Sequence, residues 1–214
     1  MLIAKPYLGI LAMACLVGCS RLDGTRQTSN PNTHNVSKNP MLIVGAGQSN
    51  MERMNLSYFL AAISDPNVTS MNVAVGGTSL SEWEPTGGLY RSMISKIQNH
   101  QVPVKALLFS QGENEALPRG EHPETWALRF TNMVRQLRLD LHNPNLVVIF
   151  TQLGKNQGWG QDWEIVKTQQ ASVHIQNVYM IRTDDIDPIP NDLHYTEVGY
   201  KAIAERLAAV YLEG

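Results

Sequence analysis

Short apolar runs alternate with segments of helical periodicity between residues 41 and 214, and this alternation constrains the fold more than any other feature of the sequence. Apolar runs without polar alternation are typical of strands buried on both faces, as in a parallel sheet covered by crossover helices. The runs occupy residues 41–45, 69–75, 102–110, 146–150 and 178–181. We therefore predict one α/β domain over residues 41–214, built as a three-layer α/β/α sandwich around a five-stranded parallel sheet.

Two helical patterns late in the chain fit this architecture. The first carries one apolar stripe, made of Trp126, Phe130, Met133, Val134, Leu137 and Leu141. The second begins after Thr196, a residue type that commonly caps a helix N-terminus. Its predicted inward-facing residues are Val198, Ile203, Leu207, Val210 and Tyr211. Both helices are expected to pack on the sheet.

The N-terminal segment has the pattern of a targeting signal. Lys5 precedes an apolar run over residues 8–17, and a helix of that length rises about 15 Å, half the roughly 30 Å core of a bilayer. Such a run is typical of a secretory signal. It ends in Leu16-Val17-Gly18-Cys19, which resembles a bacterial lipobox. We predict that residues 1–18 are a lipoprotein signal peptide and that Cys19 carries the lipid; an ordinary secretory signal is the alternative.

Residues 19–40 are dominated by Ser, Thr, Asn, Gln and Pro, a composition that cannot bury enough apolar surface to fold. We predict that they tether the domain to the lipid. Ser20 directly after the cysteine resembles the pattern that sorts lipoproteins to the outer membrane. The expected location is therefore the bacterial cell envelope, on the periplasmic or the outer surface.

Charge and cysteine content exclude several classes of protein. The formal net charge is −2, so the basic surface needed to neutralise nucleic-acid phosphates is missing. The cysteines are Cys15 and Cys19, which leaves the predicted domain without a disulfide or a thiolate metal site. We expect no nucleic-acid partner, no metal and no cofactor.

Two hypotheses compete for the segment after the first predicted strand, Gly45-Ala-Gly-Gln-Ser-Asn-Met51. It approximates a dinucleotide-binding fingerprint, but Asn50 replaces the third glycine. The second strand is also followed by Gly76-Gly77 where an acidic residue would bind the ribose. The alternative is that Ser49 is a nucleophile on a strand-to-helix turn, which requires a neighbouring histidine as base.

Only one of the six histidines follows a predicted strand beside carboxylates, and it is His194 in Asp192-Leu-His-Tyr-Thr196. The third strand ends in a polar cluster that begins with Gln111-Gly112-Glu113. Ligands of such sheets bind beyond the carboxyl ends of the strands. A nucleophile, a base, unobstructed backbone N–H groups and an amide are therefore expected at that edge, and these are the groups that catalyse acyl transfer.

These blocks resemble those of SGNH hydrolases, in the branch of sialate O-acetylesterase-like and acetylxylan esterase-like carbohydrate acetylesterases. The matching segments are residues 47–51, 76–79, 111–113 and 192–196, in the order of that family. The resemblance implies a flavodoxin-like sheet of order 2-1-3-4-5, with Ser49 and Gln111 ending neighbouring strands. It also implies a serine esterase that needs no metal and deacetylates sugars such as sialic acid, xylan or peptidoglycan.

The resemblance assigns a role to each site residue. Ser49 is the nucleophile, His194 the base and Asp192 the acid that orients it. The oxyanion hole consists of the N–H groups of Ser49 and Gly77, with Gly76 as the alternative, and the side chain of Gln111.

Two departures from the family pattern leave alternatives open. The triad aspartate usually precedes the histidine by three residues, and Asn191 stands there. Either Asp192 orients His194 or Asn191 does so without a charge. In the latter case the protein would be a catalytically weak, glycan-binding surface lipoprotein that keeps the esterase fold. The third block reads Asn114-Glu115 where Ser and Asp are more usual, and Asn114 is a possible additional oxyanion donor.

Three tryptophans in or beside predicted loops are candidates for stacking on a sugar ring. They are Trp83, Trp159 and Trp163. Burial in the core is the alternative, above all for Trp163.

Overall fold

The computed structural model describes residues 39–118 and 120–214. The predicted signal peptide, Cys19 and nearly all of the predicted tether lie outside these residues. Within the described part of the chain, no helix combines the length and apolarity required to cross a membrane.

The sheet has five strands, all parallel, in the order β2-β1-β3-β4-β5. The strands are β1 (Met41–Gly47), β2 (Val68–Asn72), β3 (Val104–Ser110), β4 (Val147–Thr151) and β5 (Val178–Ile181). The predicted fold class and strand order are confirmed. The register pairs Gly47 with Ser110, so the carboxyl ends of β1 and β3 meet at one edge.

Helices connect the strands. They are α1 (Ser49–Glu52), α2 (Ser57–Ile63), α3 (Leu80–Trp83), α4 (Gly88–His100), α5 (Glu113–Ala116), α6 (Trp126–Asp140), α7 (Gln161–Ala171) and α8 (Glu197–Glu213). A short 3₁₀ turn over Pro123–Thr125 precedes α6.

Apolar side chains alternate between the two faces of the sheet, and each face has its own core. Leu42 and Val44 of β1 face α3, α4, α6 and α7, whereas Ile43 faces α2 and α8. Strands buried on both faces explain the unbroken apolar runs in the sequence. The connections after β1 and β3 run to different sides of the sheet, which opens a crevice between the ends of these strands.

Besides shifts of one or two residues at other strand ends, two details differ from the predictions. Val198 is 78% exposed rather than inward-facing, because α8 turns Ile203 and Leu207 to the core. Strand β2 ends three residues before its predicted end at residue 75. Beyond this end, the backbone N–H groups of Val73 and Val75 still donate to the carbonyls of Gly45 and Gly47 in β1, at 2.8 and 3.0 Å. These hydrogen bonds place the glycines that follow beside the end of β1.

Candidate active site

Ser49 lies on a sharp turn between β1 and α1 that only glycine at position 47 permits. Gly47 has φ +117°, and a Cβ there would lie 2.0 Å from the carbonyl oxygen of Ser110. The next N–H, that of Gln48, donates to the same oxygen at 2.8 Å. Ser49 then begins α1, directly above the β1–β3 edge.

The structure brings the predicted serine, histidine and aspartate together. Ser49 Oγ lies 2.9 Å from His194 Nε2, and His194 Nδ1 lies 2.6 Å from Asp192 Oδ1. The side chains of His194 and Asp192 are 15% and 38% exposed. This is a continuous hydrogen-bonded relay from a carboxylate through an imidazole to a hydroxyl.

Asp192, and not Asn191, contacts the imidazole. Asp192 Oδ1 also accepts from the backbone N–H of His194 at 3.1 Å, so a tight turn folds the carboxylate back onto the ring two residues later. Asn191 is exposed with φ +58°, and its backbone N–H faces Gln157 Oε1 at 3.4 Å. Desolvation acts to raise the pKa of Asp192, but the hydrogen bonds from His194 outweigh it and hold that pKa below its ordinary value.

An open pocket of about 380 Å³ lies beside Ser49 and His194. Gly76, Gly77 and Asn114 line it. Gly77 has φ +72°, and a Cβ there would meet no atom within 4 Å, so its backbone borders open space. The Asn114 side-chain amide donates to the Gly77 carbonyl at 3.2 Å, which holds it at the pocket wall.

Gln111 does not lie at this pocket, which corrects its predicted oxyanion role. Its side chain is 1% exposed; Oε1 accepts from Trp126 Nε1 at 2.8 Å and Nε2 donates to Glu115. Side chains alternate along a strand, so Gln111 follows the direction of Phe109, toward α6. The amide that the structure places at the pocket is Asn114.

The tryptophans do not line this pocket either. Trp83 and Trp163 are core residues, and their indole N–H groups donate to Thr78 Oγ1 at 3.1 Å and to the Gly154 carbonyl at 2.9 Å. Trp159 packs against Trp163 with ring centroids 6.2 Å apart. The predicted stacking on sugar is therefore not supported by their positions.

Sequence reasoning missed the role of Asn50, which joins three parts of the site. Its Nδ2 donates to Glu113 Oε1 at 2.5 Å and to the Leu193 carbonyl at 3.0 Å, and its Oδ1 accepts from Tyr200 at 2.9 Å. Leu193 directly precedes His194, so this side chain ties the serine turn to the histidine loop. Its place beside Ser49 in the first motif was the one available signal.

Two buried acids flank the site on α5. Burial raises the pKa of Glu113 and of Glu115 above the ordinary value of a glutamate. Within the described residues no three His, Cys, Asp or Glu side chains form a cluster suited to a metal ion. The chemistry that the arrangement supports is nucleophilic attack by an activated serine.

Comparison with sequence families agrees with this chemistry. A family model described as carbohydrate esterase, sialic acid-specific acetylesterase, matches residues 57–213. The chain is also 26% identical over 142 residues to a protein of Arabidopsis thaliana named probable carbohydrate esterase. The match includes 65% of this chain and 53% of the plant protein, so the chain spans about half the length of that relative.

Solved structures share the fold at low sequence identity. The crystal structure of the plant protein has a TM-score of 0.73 at 18% identity, over 82% of this chain and 99% of that chain. The structure of a carbohydrate acetylesterase of Xanthomonas citri has a TM-score of 0.65 at 19% identity, over 78% of this chain and 54% of that chain. The structure of a candidate SGNH hydrolase of Slackia heliotrinireducens has a TM-score of 0.50 at 13% identity, over 81% of this chain and 97% of that chain. These neighbours have the same fold, and they confirm the expected three-layer α/β/α sandwich.

Proposed function

Because the chain belongs to the carbohydrate esterase family of sialic acid-specific acetylesterases, we propose that it is a serine esterase that removes acetyl groups from carbohydrates. One observation carries this proposal: the Ser49, His194 and Asp192 side chains form a hydrogen-bonded relay whose serine opens onto a solvent-accessible pocket.

Each member of the relay has a defined task. His194 Nε2 takes the proton of Ser49 Oγ as the oxygen attacks the acetyl carbonyl carbon, and Asp192 stabilises the imidazolium that forms. The tetrahedral intermediate collapses when His194 gives the proton to the departing sugar oxygen, which leaves an acetyl group on Ser49. Water then attacks this ester with His194 again as base. His194 returns that proton to Ser49 Oγ as the second tetrahedral intermediate collapses, and acetate leaves.

The oxyanion of the intermediate requires donors fixed before the reaction. We assign this task to the N–H groups of Ser49 and Gly77 and to the Asn114 amide. The positive φ of Gly77 and the contact of Asn114 with its carbonyl support this assignment. Gly76 lines the same pocket and is the alternative backbone donor.

The direct test is acetate release from p-nitrophenyl acetate and from acetylated sugars. Ser49→Ala is expected to lower kcat by about 10⁴-fold or more, since loss of a triad nucleophile removes the covalent route. Ser57→Ala, an exposed serine at the start of α2, is the matched control and should retain wild-type rates. Equal rates for Ser49→Ala and wild type would refute the assignment.

The sugar is the finer part of the proposal. Sialic acid, xylan and peptidoglycan acetyl esters are the candidate substrates. The Arabidopsis relative is named a probable carbohydrate esterase and the Xanthomonas protein a carbohydrate acetylesterase, and neither name specifies a sugar. Acetate released from a panel of these glycans, ranked by kcat/KM, identifies the substrate. A protein that cleaves p-nitrophenyl acetate but none of the glycans would contradict the carbohydrate specificity.

The alternative of a catalytically weak glycan-binding protein depends on Asn191, and the contact of Asp192 with His194 supports the active enzyme instead. We expect Asp192→Asn to lower kcat by about 10⁴-fold, as the same change does in a serine protease triad. Asn191→Asp, the matched control, should change kcat little. A sharp rise in activity of Asn191→Asp would instead favour the binding protein.

A further inference from the structure

Glu113 is a buried carboxyl group that the proposed reaction does not use. It is 3% exposed and begins α5, beneath the serine turn. Its Oε1 accepts from Asn50 Nδ2, but its Oε2 has no hydrogen-bond partner among the described residues. Burying a polar oxygen without a hydrogen-bond partner destabilises a fold, so this oxygen needs an explanation.

A second buried polar atom in the described part of the chain has the same deficit, and its residue lines a cavity that Glu113 also lines. The indole Nε1 of Trp159 is buried without a partner there. Glu113 and Trp159 both line one small cavity of about 10 Å³, which also borders Leu193 and Tyr195. That volume is the room that one water molecule needs, and the lining supplies several polar partners.

One water bound between the two atoms would satisfy both. The indole N–H of Trp159 can only donate, so the water accepts from it. Burial raises the pKa of Glu113, which favours its neutral form. In the neutral acid, with Oε1 accepting from Asn50, the hydroxyl is Oε2, and it would donate to the second lone pair of such a water.

The cavity also lies directly behind the catalytic histidine loop. Leu193 lines it, and its carbonyl accepts from Asn50, the residue that Glu113 holds from the other side. The carboxyl group therefore fixes Asn50, Asn50 fixes the carbonyl next to His194, and His194 meets Ser49 at 2.9 Å.

We propose that the cavity between Glu113 and Trp159 is a binding site for one structural water, and that Glu113, anchored by this water, is a positioning residue for His194. Glu113 touches neither substrate nor the reacting atoms. It acts through Asn50 and the Leu193 carbonyl. The kinetic part of this proposal rests on the proposed esterase function, whereas the water site does not.

The water is tested by crystallography of the whole protein at a resolution of about 1.5 Å. We expect one ordered water within hydrogen-bonding distance of Glu113 Oε2 and Trp159 Nε1, and its loss or weakening in Trp159→Phe, which keeps a ring but removes the donor. An ordered solvent peak is visible whether or not the protein is an esterase. A wild-type structure without it overturns the proposal.

The positioning role is tested by steady-state kinetics on p-nitrophenyl acetate. Glu113→Leu should lower kcat about 10- to 100-fold with KM within about twofold, because a small displacement of a catalytic group slows the chemical step. Glu113→Gln keeps one acceptor for Asn50 and one donor for the water, so it should restore most of kcat. Trp159→Phe should lower kcat a few-fold and provides a second variant if Glu113→Leu does not fold.

Glu115→Leu is the matched control, because Glu115 is equally buried on the same helix but bonds Leu80 N–H and Gln111 instead. It should lower the melting temperature with little change in kcat. Wild-type kcat in folded Glu113→Leu, or equal losses of kcat in the Glu113 and Glu115 variants, overturns the positioning role. Ser49→Ala separates the two proposals, since its activity reports on the esterase function alone.

Discussion

At the scale of single residues, two amides near the third strand differ in their distance from the pocket beside Ser49. Asn114 lines the pocket beside Ser49, whereas Gln111 is enclosed between Trp126 and Glu115. We predict that Asn114→Ala lowers kcat about 100- to 1000-fold with little change in melting temperature, as removal of one oxyanion donor does elsewhere. Gln111→Ala should instead lower the melting temperature, because it leaves buried partners unpaired. Kinetics and calorimetry of both variants check this, and a selective kcat loss in Gln111→Ala would reverse the assignment.

The buried acids predict a pH dependence of stability at the same scale. Their pKa values are raised in the folded state, so the stability that the neutral forms contribute is complete below a pH of about 4.3, the ordinary glutamate pKa. It is lost as the pH rises through the folded values. Glu113→Gln and Glu115→Gln stay neutral and should therefore gain melting temperature relative to wild type between pH 4 and 8. For each tenfold decrease in the acid dissociation constant on folding, the free energy of unfolding changes by about 1.4 kcal/mol. That change corresponds to about 3–5 °C in melting temperature for a domain of this size.

Calorimetry across that pH range measures the difference between each variant and wild type. Glu124→Gln is the control, because the side chain of Glu124 is 61% exposed and its charge stays in contact with water in the folded protein. A constant difference for Glu113→Gln and Glu115→Gln from pH 4 to 8 would show that burial does not disfavour their charge.

At the scale of elements, the turn between β1 and α1 decides where the nucleophile lies. A Cβ at Gly47 would meet backbone, which cannot move aside without parting β1 from β3. We predict that Gly47→Ala abolishes esterase activity and destabilises the domain by more than the roughly 1–3 kcal/mol of backbone strain alone. Gly158→Ala is the matched control, with φ +95° but no atom within 4 Å of the added Cβ, and should show that strain only. Chemical unfolding of both variants measures the difference, and equal losses would mean that the close approach is unimportant.

At the scale of the whole molecule, we propose on the sequence motif that the esterase domain is held at a membrane by lipid on Cys19. More than one acyl chain gives stable anchoring where a single chain is marginal. Cys19→Ser should therefore shift the protein from the membrane fraction to the soluble fraction of cells and abolish incorporation of labelled fatty acid. Cys15→Ser, within the apolar run, is the matched control and should remain lipidated. Unchanged fractionation of Cys19→Ser would leave an ordinary secretory signal as the better interpretation.

The sequence by itself determined the sheet and the reactive pair of the proposed relay. Apolar runs set the strands, because burial on both faces removes polar alternation, and the strand order was implied by the family that the motifs at their ends resemble. Ser49 and His194 were identified because each follows a strand at the edge where the carboxyl ends of parallel strands converge. These signals are local in the sequence, so the order and spacing of residue types along the chain are enough to predict the strands and the two residues that follow them.

Only the tertiary structure decided which neighbour in each motif lies at the candidate site. Asp192 rather than Asn191 reaches the imidazole because the loop folds into a turn closed by its own side chain. Gln111 turns to the core because it continues the alternation of β3, whereas Asn114 reaches the pocket from the helix that follows. Such choices depend on side-chain directions and on contacts between residues far apart in the chain, and the pattern of residue types does not encode them.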